Sequence, residues 1–124
     1  MGERMGPIDP AEAVYAFIRT VPPGTVVTYG QVAALVEGVS VTARQVGGML
    51  TVSPPDVPWQ RVVGAGGHLP IGKRSPGLKS RQQELLEAEG VGFLPNGCVD
   101  MARFQWSDDD GEGGSRGGLF DDQG

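Results

Sequence analysis

The run Pro58-Trp59-Gln60-Arg61-Val62-Val63 gathers the residue types of a reactive pocket without a group that reacts. Proline and tryptophan suit a ligand wall, glutamine hydrogen-bonds without titrating, and arginine is permanently charged. Covalent transfer needs a nucleophile prepared by a neighbouring base, and none stands in this run. Cys98 is the only cysteine of the chain and His68 the only histidine. A single thiol excludes an intrachain disulfide, and no carboxylate cluster supplies the ligands that a zinc site would still lack. The expectation is a protein with no catalytic residue, no metal and no cofactor. Cys98, just past the turn at Asn96-Gly97, reads as a buried, inert thiol.

The formal net charge of −5 argues against a nucleic-acid partner only until it is divided. Asp108, Asp109, Asp110, Glu112, Asp121 and Asp122 lie beyond Ser107 against Arg116 alone, which leaves nine acids and nine bases in residues 1–106. That body is neutral and its charges are segregated, since Arg61, Lys73, Arg74, Lys79 and Arg81 follow one another with no acid between them. Such a stretch favours phosphates, although a solvated loop has the same composition. The tail 107–124, acidic and rich in glycine, reads as a disordered, solubilising extension of one domain over 1–106. No apolar stretch approaches the roughly twenty residues of a membrane span. The N-terminus also lacks the layout of a signal peptide, so the reading is a soluble, cytoplasmic protein.

The elements that must position the 58–63 run are mainly helical. Asp9-Pro10-Ala11-Glu12 is a helix start with Asp9 as cap and Glu12 completing a capping box; Val14, Phe17, Ile18 and Val21 then form its apolar stripe until Pro22-Pro23-Gly24. Thr28 and Gln31 repeat the capping logic for a second helix over 29–37. Ser40 caps a third over 41–51, with Val46, Met49 and Leu50 inward. Two short helices joined by a four-residue turn have the layout of a helix-turn-helix. Gly47 and Gly48 each cost the third helix about 1 kcal/mol relative to alanine. Close approach of another surface, DNA or a packed helix, would explain them. Three prolines make 52–58 an extended loop leading to a strand at 61–63. Residues 64–77 form a second, glycine-rich and basic loop, and 78–89 a helix that Gly90 ends. Residues 91–93 and 98–101 pair as a hairpin around Asn96-Gly97.

The blocks GTVVTYGQVAALV, TARQVGGML, VPWQRVVGAGG, LLEAEGV and VDMARFQW, in that order from about Pro10 to Trp106, resemble the alkyltransferase-like proteins, relatives of the O6-alkylguanine-DNA alkyltransferases. The resemblance implies a mainly α fold with small β elements, a winged helix-turn-helix-like DNA-binding domain. In the alkyltransferases the matching segment reads Pro-Cys-His-Arg-Val, and its cysteine accepts the alkyl group of a flipped base. Here Trp59 holds the acceptor position, and indole has no nucleophile of comparable strength. The alkyltransferase-like proteins commonly keep Pro-Trp-His-Arg-Val, so Gln60 departs from that branch too. Ser53 departs where active alkyltransferases carry an asparagine. Glu89 falls at the glutamate that pairs with the active-site histidine and is read as structural, with Gln60 as its partner.

The resemblance also implies the roles of individual residues. Arg44 enters the base stack in place of the extruded nucleotide, since a planar guanidinium can stack there and bond the orphaned partner. Tyr29 presses on the phosphate 3′ to the target. Thr42, Ala43, Gln45, Gly47 and Gly48 bring the third helix against the minor groove. Pro58, Trp59, Gln60 and Arg61, with Tyr29 and Ser75, form the lesion pocket, while Lys73 and Arg74 meet DNA from the second loop. The implied partners are double-stranded DNA containing O6-alkylguanine and damage-recognition proteins of nucleotide excision repair, met by a monomer. Without the resemblance, Arg44 and the loop cations read as solvated residues and Tyr29 as a half-buried core ring, while Trp59, a residue type that is commonly a core anchor, reads as a pocket wall from its place between Pro58 and a polar Gln-Arg pair. A helix-turn-helix transcription regulator, or a general DNA-binding domain, then fits the same pattern.

Overall fold

The computed structural model describes residues 9–73 and 76–107. Its elements are α1 (Pro10–Ile18), β1 (Val27–Thr28), α2 (Tyr29–Leu35), α3 (Ala43–Leu50), β2 (Val62–Val63), α4 (Pro76–Ala88) and α5 (Met101–Phe104), with short 3-10 turns between β1's partner strand and its neighbours. The fold is mainly α with a small β part, as expected. β1 and β2 run parallel, Val27 opposite Val62 and Thr28 opposite Val63.

Because side chains alternate across a strand, this two-stranded sheet separates two cores. Val27 and Val62 face α1, α2 and α3, burying themselves with Val14, Ile18, Val32, Val46 and Leu50. Val26 and Val63 face the other way, against Leu86 of α4 and Leu69, Val91 and Val99. The chain's last described residues close on the same sheet. Trp106 N–H donates to the Val26 carbonyl (2.7 Å), and the Trp106 ring packs at 6.2 Å from Phe17 of α1.

Helix starts follow the sequence closely. Asp9 caps α1, accepting from Ala11 N–H at 3.1 Å and so reaching the second helical residue, not Glu12. Thr28 and Gln31 form a reciprocal capping box on α2. The third helix corrects the sequence reading: its cap is Thr42, not Ser40, and it spans 43–50, not 41–51. Thr42 Oγ1 accepts from Gln45 N–H (3.1 Å) while Gln45 Oε1 accepts from Thr42 N–H (2.9 Å). Three residues after Ser40 stands Ala43, which has no group to reciprocate. Thr42→Ala should therefore destabilise the protein by about 1 kcal/mol in urea unfolding. Ser40→Ala should stay within about 0.5 kcal/mol of wild type.

Other boundaries move too, and α4 runs Pro76–Ala88 in place of the expected 78–89. α2 ends at Leu35, two residues early, where Val36 turns to extended backbone and buries its side chain. Arg61 belongs to a 3-10 turn, leaving only Val62–Val63 as strand. The hairpin around Asn96-Gly97 shrinks to one antiparallel bridge, Phe93 with Val99. Its turn is present, with Gly97 at φ 90. The second arm cannot extend because Val99 N–H is taken by the Gly67 carbonyl (3.0 Å) and Met101 already begins α5. Gly67 must be glycine there, since its φ is +92 and a Cβ would lie 2.5 Å from the Val99 carbonyl oxygen.

Candidate nucleic-acid interface

Trp59 sits in the 3-10 turn Trp59–Arg61, between the proline loop and β2. Arg61 N–H donates to the Pro58 carbonyl (3.0 Å), and Val57, almost fully buried, anchors the turn's approach. From α4, Gln82 reaches in with only 1% of its surface exposed, and its Nε2 donates to the carbonyls of Gln60 (3.0 Å) and Val62 (2.9 Å). One buried amide thus clamps the turn on both sides. Gln82 Oε1 has no hydrogen-bond partner. Nothing in the sequence marked Gln82, because a glutamine between Arg81 and Gln83 looks like the solvated face of a helix.

Trp59 is half-buried. It packs on the core of α1–α3 and also lines a cavity of about 360 Å3 with Pro55, Asp56, Val57, Pro58, Gln60, Arg81 and Leu85. A larger cavity, about 680 Å3, lies off the 58–63 run and is lined by Gly64, Ala65, His68, Leu69, Pro70, Lys73 and Lys79. The smaller one contains Pro58, Trp59 and Gln60 of the 58–63 run.

Behind the turn, Glu89 gathers the polar groups. Arg61 Nε and Nη2 donate to its carboxylate (3.0 and 2.9 Å), Gln60 Nε2 donates to Oε2 (2.8 Å), and Gly24 N–H donates to Oε1 (3.1 Å). Arg61 Nη1 also donates to the Val21 carbonyl (2.9 Å), so it is fully occupied in bracing α1's exit and α4's end against the turn. Burial raises the Glu89 carboxyl, but the hydrogen bonds from Arg61, Gly24 and Gln60 outweigh it and hold the group below its ordinary value. Arg61 and Gln60 therefore position the pocket segment. Gln60 still forms part of the cavity wall.

The helix-turn-helix residues come from α2 and α3, which pack on each other. Tyr29 opens α2 directly after the Thr28–Val63 pair; it is half-buried against the same core that carries Trp59. Thr42, Ala43, Arg44 and Gln45 are all exposed at the start of α3. Gly47 is buried and Gly48 half-buried, so at Gly47 the close neighbour is the protein's own core. Tyr15 fixes the far end of α3 by donating its hydroxyl to the Met49 carbonyl (2.8 Å). Its burial and the carboxylates of Asp9 and Glu12 push that hydroxyl above its usual range, so it remains a donor.

In the second loop Lys73 and His68 are exposed, and His68 Nδ1 lies 3.5 Å from the buried Cys98 sulfur. Arg74, Ser75 and the tail from Asp108 lie outside the described residues. Among the described residues no group of His, Cys, Asp and Glu could hold a metal ion, and no helix is long and apolar enough to cross a membrane.

Residues 9–91 match the family model of the 6-O-methylguanine DNA methyltransferase DNA-binding domain. A DNA base-flipping protein of Escherichia coli (strain K12) is 40% identical over 98 residues, covering 77% of this chain and 73% of the relative. Alkyltransferase-like protein 1 of Schizosaccharomyces pombe is 40% identical over 80 residues, 63% of this chain and 72% of that protein. The crystal structure of S. pombe Atl1 in complex with damaged DNA containing O6-carboxymethylguanine is similar to this chain with a TM-score of 0.67 and 33% identity, covering 78% of this chain and 94% of that one.

Proposed function

Because the chain belongs to the family of the 6-O-methylguanine DNA methyltransferase DNA-binding domain, we propose that it binds duplex DNA containing an O6-alkylguanine and turns the modified base into the cavity beside Trp59. It holds the base there without transferring the alkyl group. The observation that carries this reading is Trp59 itself. It stands where the family's acceptor thiol is expected, on the wall of a cavity of about 360 Å3 and clamped in place by Gln82 and the Glu89 cluster.

In this reading α3 enters the minor groove by its exposed first turn, Thr42 to Gln45, with Ala43 and Gly48 allowing close approach. Arg44 fills the gap left by the base and Tyr29 presses on the neighbouring phosphate. An alkylated guanine pairs poorly and so costs less to extrude, which makes the preference for damage independent of any reaction. Lys73, on the wall of the larger cavity, meets phosphates, and the reading extends that role to Arg74 and Ser75. A lesion held but not repaired serves as a mark, and the reading includes handover by a cytoplasmic monomer to the damage-recognition proteins of nucleotide excision repair.

The test is competitive binding, at one stated salt concentration, of two duplexes that differ only by one O6-methylguanine, with intact mass recorded afterwards. Strong preference for the damaged duplex and an unchanged protein mass are expected. Equal binding would leave a general DNA-binding domain, and a preference for one sequence over others a regulator. A gain of about 14 Da would show methyl transfer to the protein.

A further inference from the structure

We infer that the cavity lined by Lys73, Lys79 and His68 is an anion-binding surface, and that in the free protein the chain's own acidic segment, Asp108 to Glu112, occupies it in place of DNA phosphates. The inference takes from the lesion-binding reading only that DNA is the competitor. Lys73 and Lys79 are the only lysines of the chain, and no acid stands between Asp56 and Glu84 to compensate them locally. Both are exposed, both line the same cavity of about 680 Å3, and none of its described lining residues is acidic. Among the described residues Arg19, Arg61 and Arg81 each have a carboxylate within ion-pair distance, and neither lysine does.

The sheet brings the acids to this cavity. β1 and β2 run parallel with Thr28 opposite Val63, so both strands end at the same end of the sheet: Tyr29 of α2 follows one, and Gly64, on the cavity wall, follows the other. Gln105 pairs with Val26 in the same direction on β1's other side, and Trp106 N–H donates to the Val26 carbonyl (2.7 Å). Gln31 holds this end against the first turn of α2, its Nε2 donating to the Trp106 carbonyl (2.9 Å). Ser107 therefore leaves the body at the end of the sheet where Gly64 does, two strand spacings or roughly 10 Å away. Residues 108–112 can span up to about 17 Å, which exceeds that gap.

Asp108, Asp109, Asp110 and Glu112 follow Ser107 with no base among them. A tether this short keeps them near the lysines at an effective concentration on the order of millimolar. Contacts that are weak one at a time thus become populated at low salt. DNA of either kind must displace them, since its phosphates seek the same cations. The segment lowers affinity for damaged and undamaged duplexes by one factor and leaves the preference between them unchanged. Undamaged DNA, bound more weakly from the start, then loses most of its occupancy.

Carbodiimide treatment of the full chain, which joins a carboxylate to an amine that touches it, should link residues 108–112 to Lys73 or Lys79, as read by peptide mass mapping. The links should disappear when duplex DNA is added, and at about 1 M salt, where the screening length is roughly 3 Å. Neutralising the segment with Asp108→Asn, Asp109→Asn, Asp110→Asn and Glu112→Gln should tighten binding to guanine and O6-methylguanine duplexes alike, by about three- to tenfold at low salt. In a Lys73→Gln, Lys79→Gln background the same four changes should alter affinity by less than about twofold. Absence of links at low salt overturns the inference, and so does an undiminished gain in that background, which would show repulsion of DNA through space. A chain that does not prefer the O6-methylguanine duplex would sink the lesion-binding reading and leave this inference supported by the links.

Discussion

Glu89→Ala is expected to destabilise the protein by about 3 kcal/mol in urea unfolding, the largest stability effect of any single polar substitution at this site. Arg61 and Glu89 keep only 15% and 14% of their side-chain surface exposed. Removing the carboxylate would strand the Arg61 guanidinium, the Gln60 amide and the Gly24 N–H together. Leaving a partly buried charge without its partner costs more than the pair contributes when intact. Glu89→Gln keeps one acceptor oxygen and should cost less, about 1–2 kcal/mol.

The same cluster predicts a pH dependence whose sign is set by the lowered Glu89 carboxyl. The stability it contributes is fully present above its ordinary value of 4.5 and is lost as pH falls through the lower folded value. In Glu89→Gln that acid loss should be smaller than in wild type. Identical acid limbs for the two proteins would show that Glu89 is not coupled to folding in the way its hydrogen bonds require.

Arg44→Ala is expected to cost at least about tenfold in preference for an O6-methylguanine duplex over its undamaged match, with stability within about 0.5 kcal/mol of wild type. The two readouts separate because Arg44 is exposed on the second residue of α3, where truncation removes no buried contact. Lysine should rescue poorly, since an ammonium cannot stack in the place of a base. Trp59→Ala should lose the preference too, but together with about 1–3 kcal/mol of stability, because its ring also packs on the α1–α3 core. A lesion preference that survives Arg44→Ala would remove Arg44 from the mechanism. If it also survived Trp59→Ala, the cavity would not be the receptor for the base.

What the sequence by itself determined lies within short reach along the chain. Asp9 and Thr28 are legible because a cap and its target stand within three residues of each other. The absence of a nucleophile at Trp59 needed no structure either, since it is a matter of residue type. Local reach still misplaced one cap: the third helix starts at Thr42 and not at the expected Ser40, because only Thr42 has a reciprocating glutamine three residues on.

Tertiary structure decided how the polar side chains pair. Glu89 meets Gly24 across 65 positions and Arg61 across 28, and no local rule relates such residues. Gln82 turned inward because two carbonyls of the Trp59 turn lacked donors, which only the closure of α4 over that turn supplies. The hairpin shrank for the same reason, as a distant glycine carbonyl claimed the Val99 N–H that the second strand would have used. Backbone and side-chain groups that are buried must find partners wherever the chain brings them, so the bonds that position Trp59 follow from packing and not from neighbouring residue types.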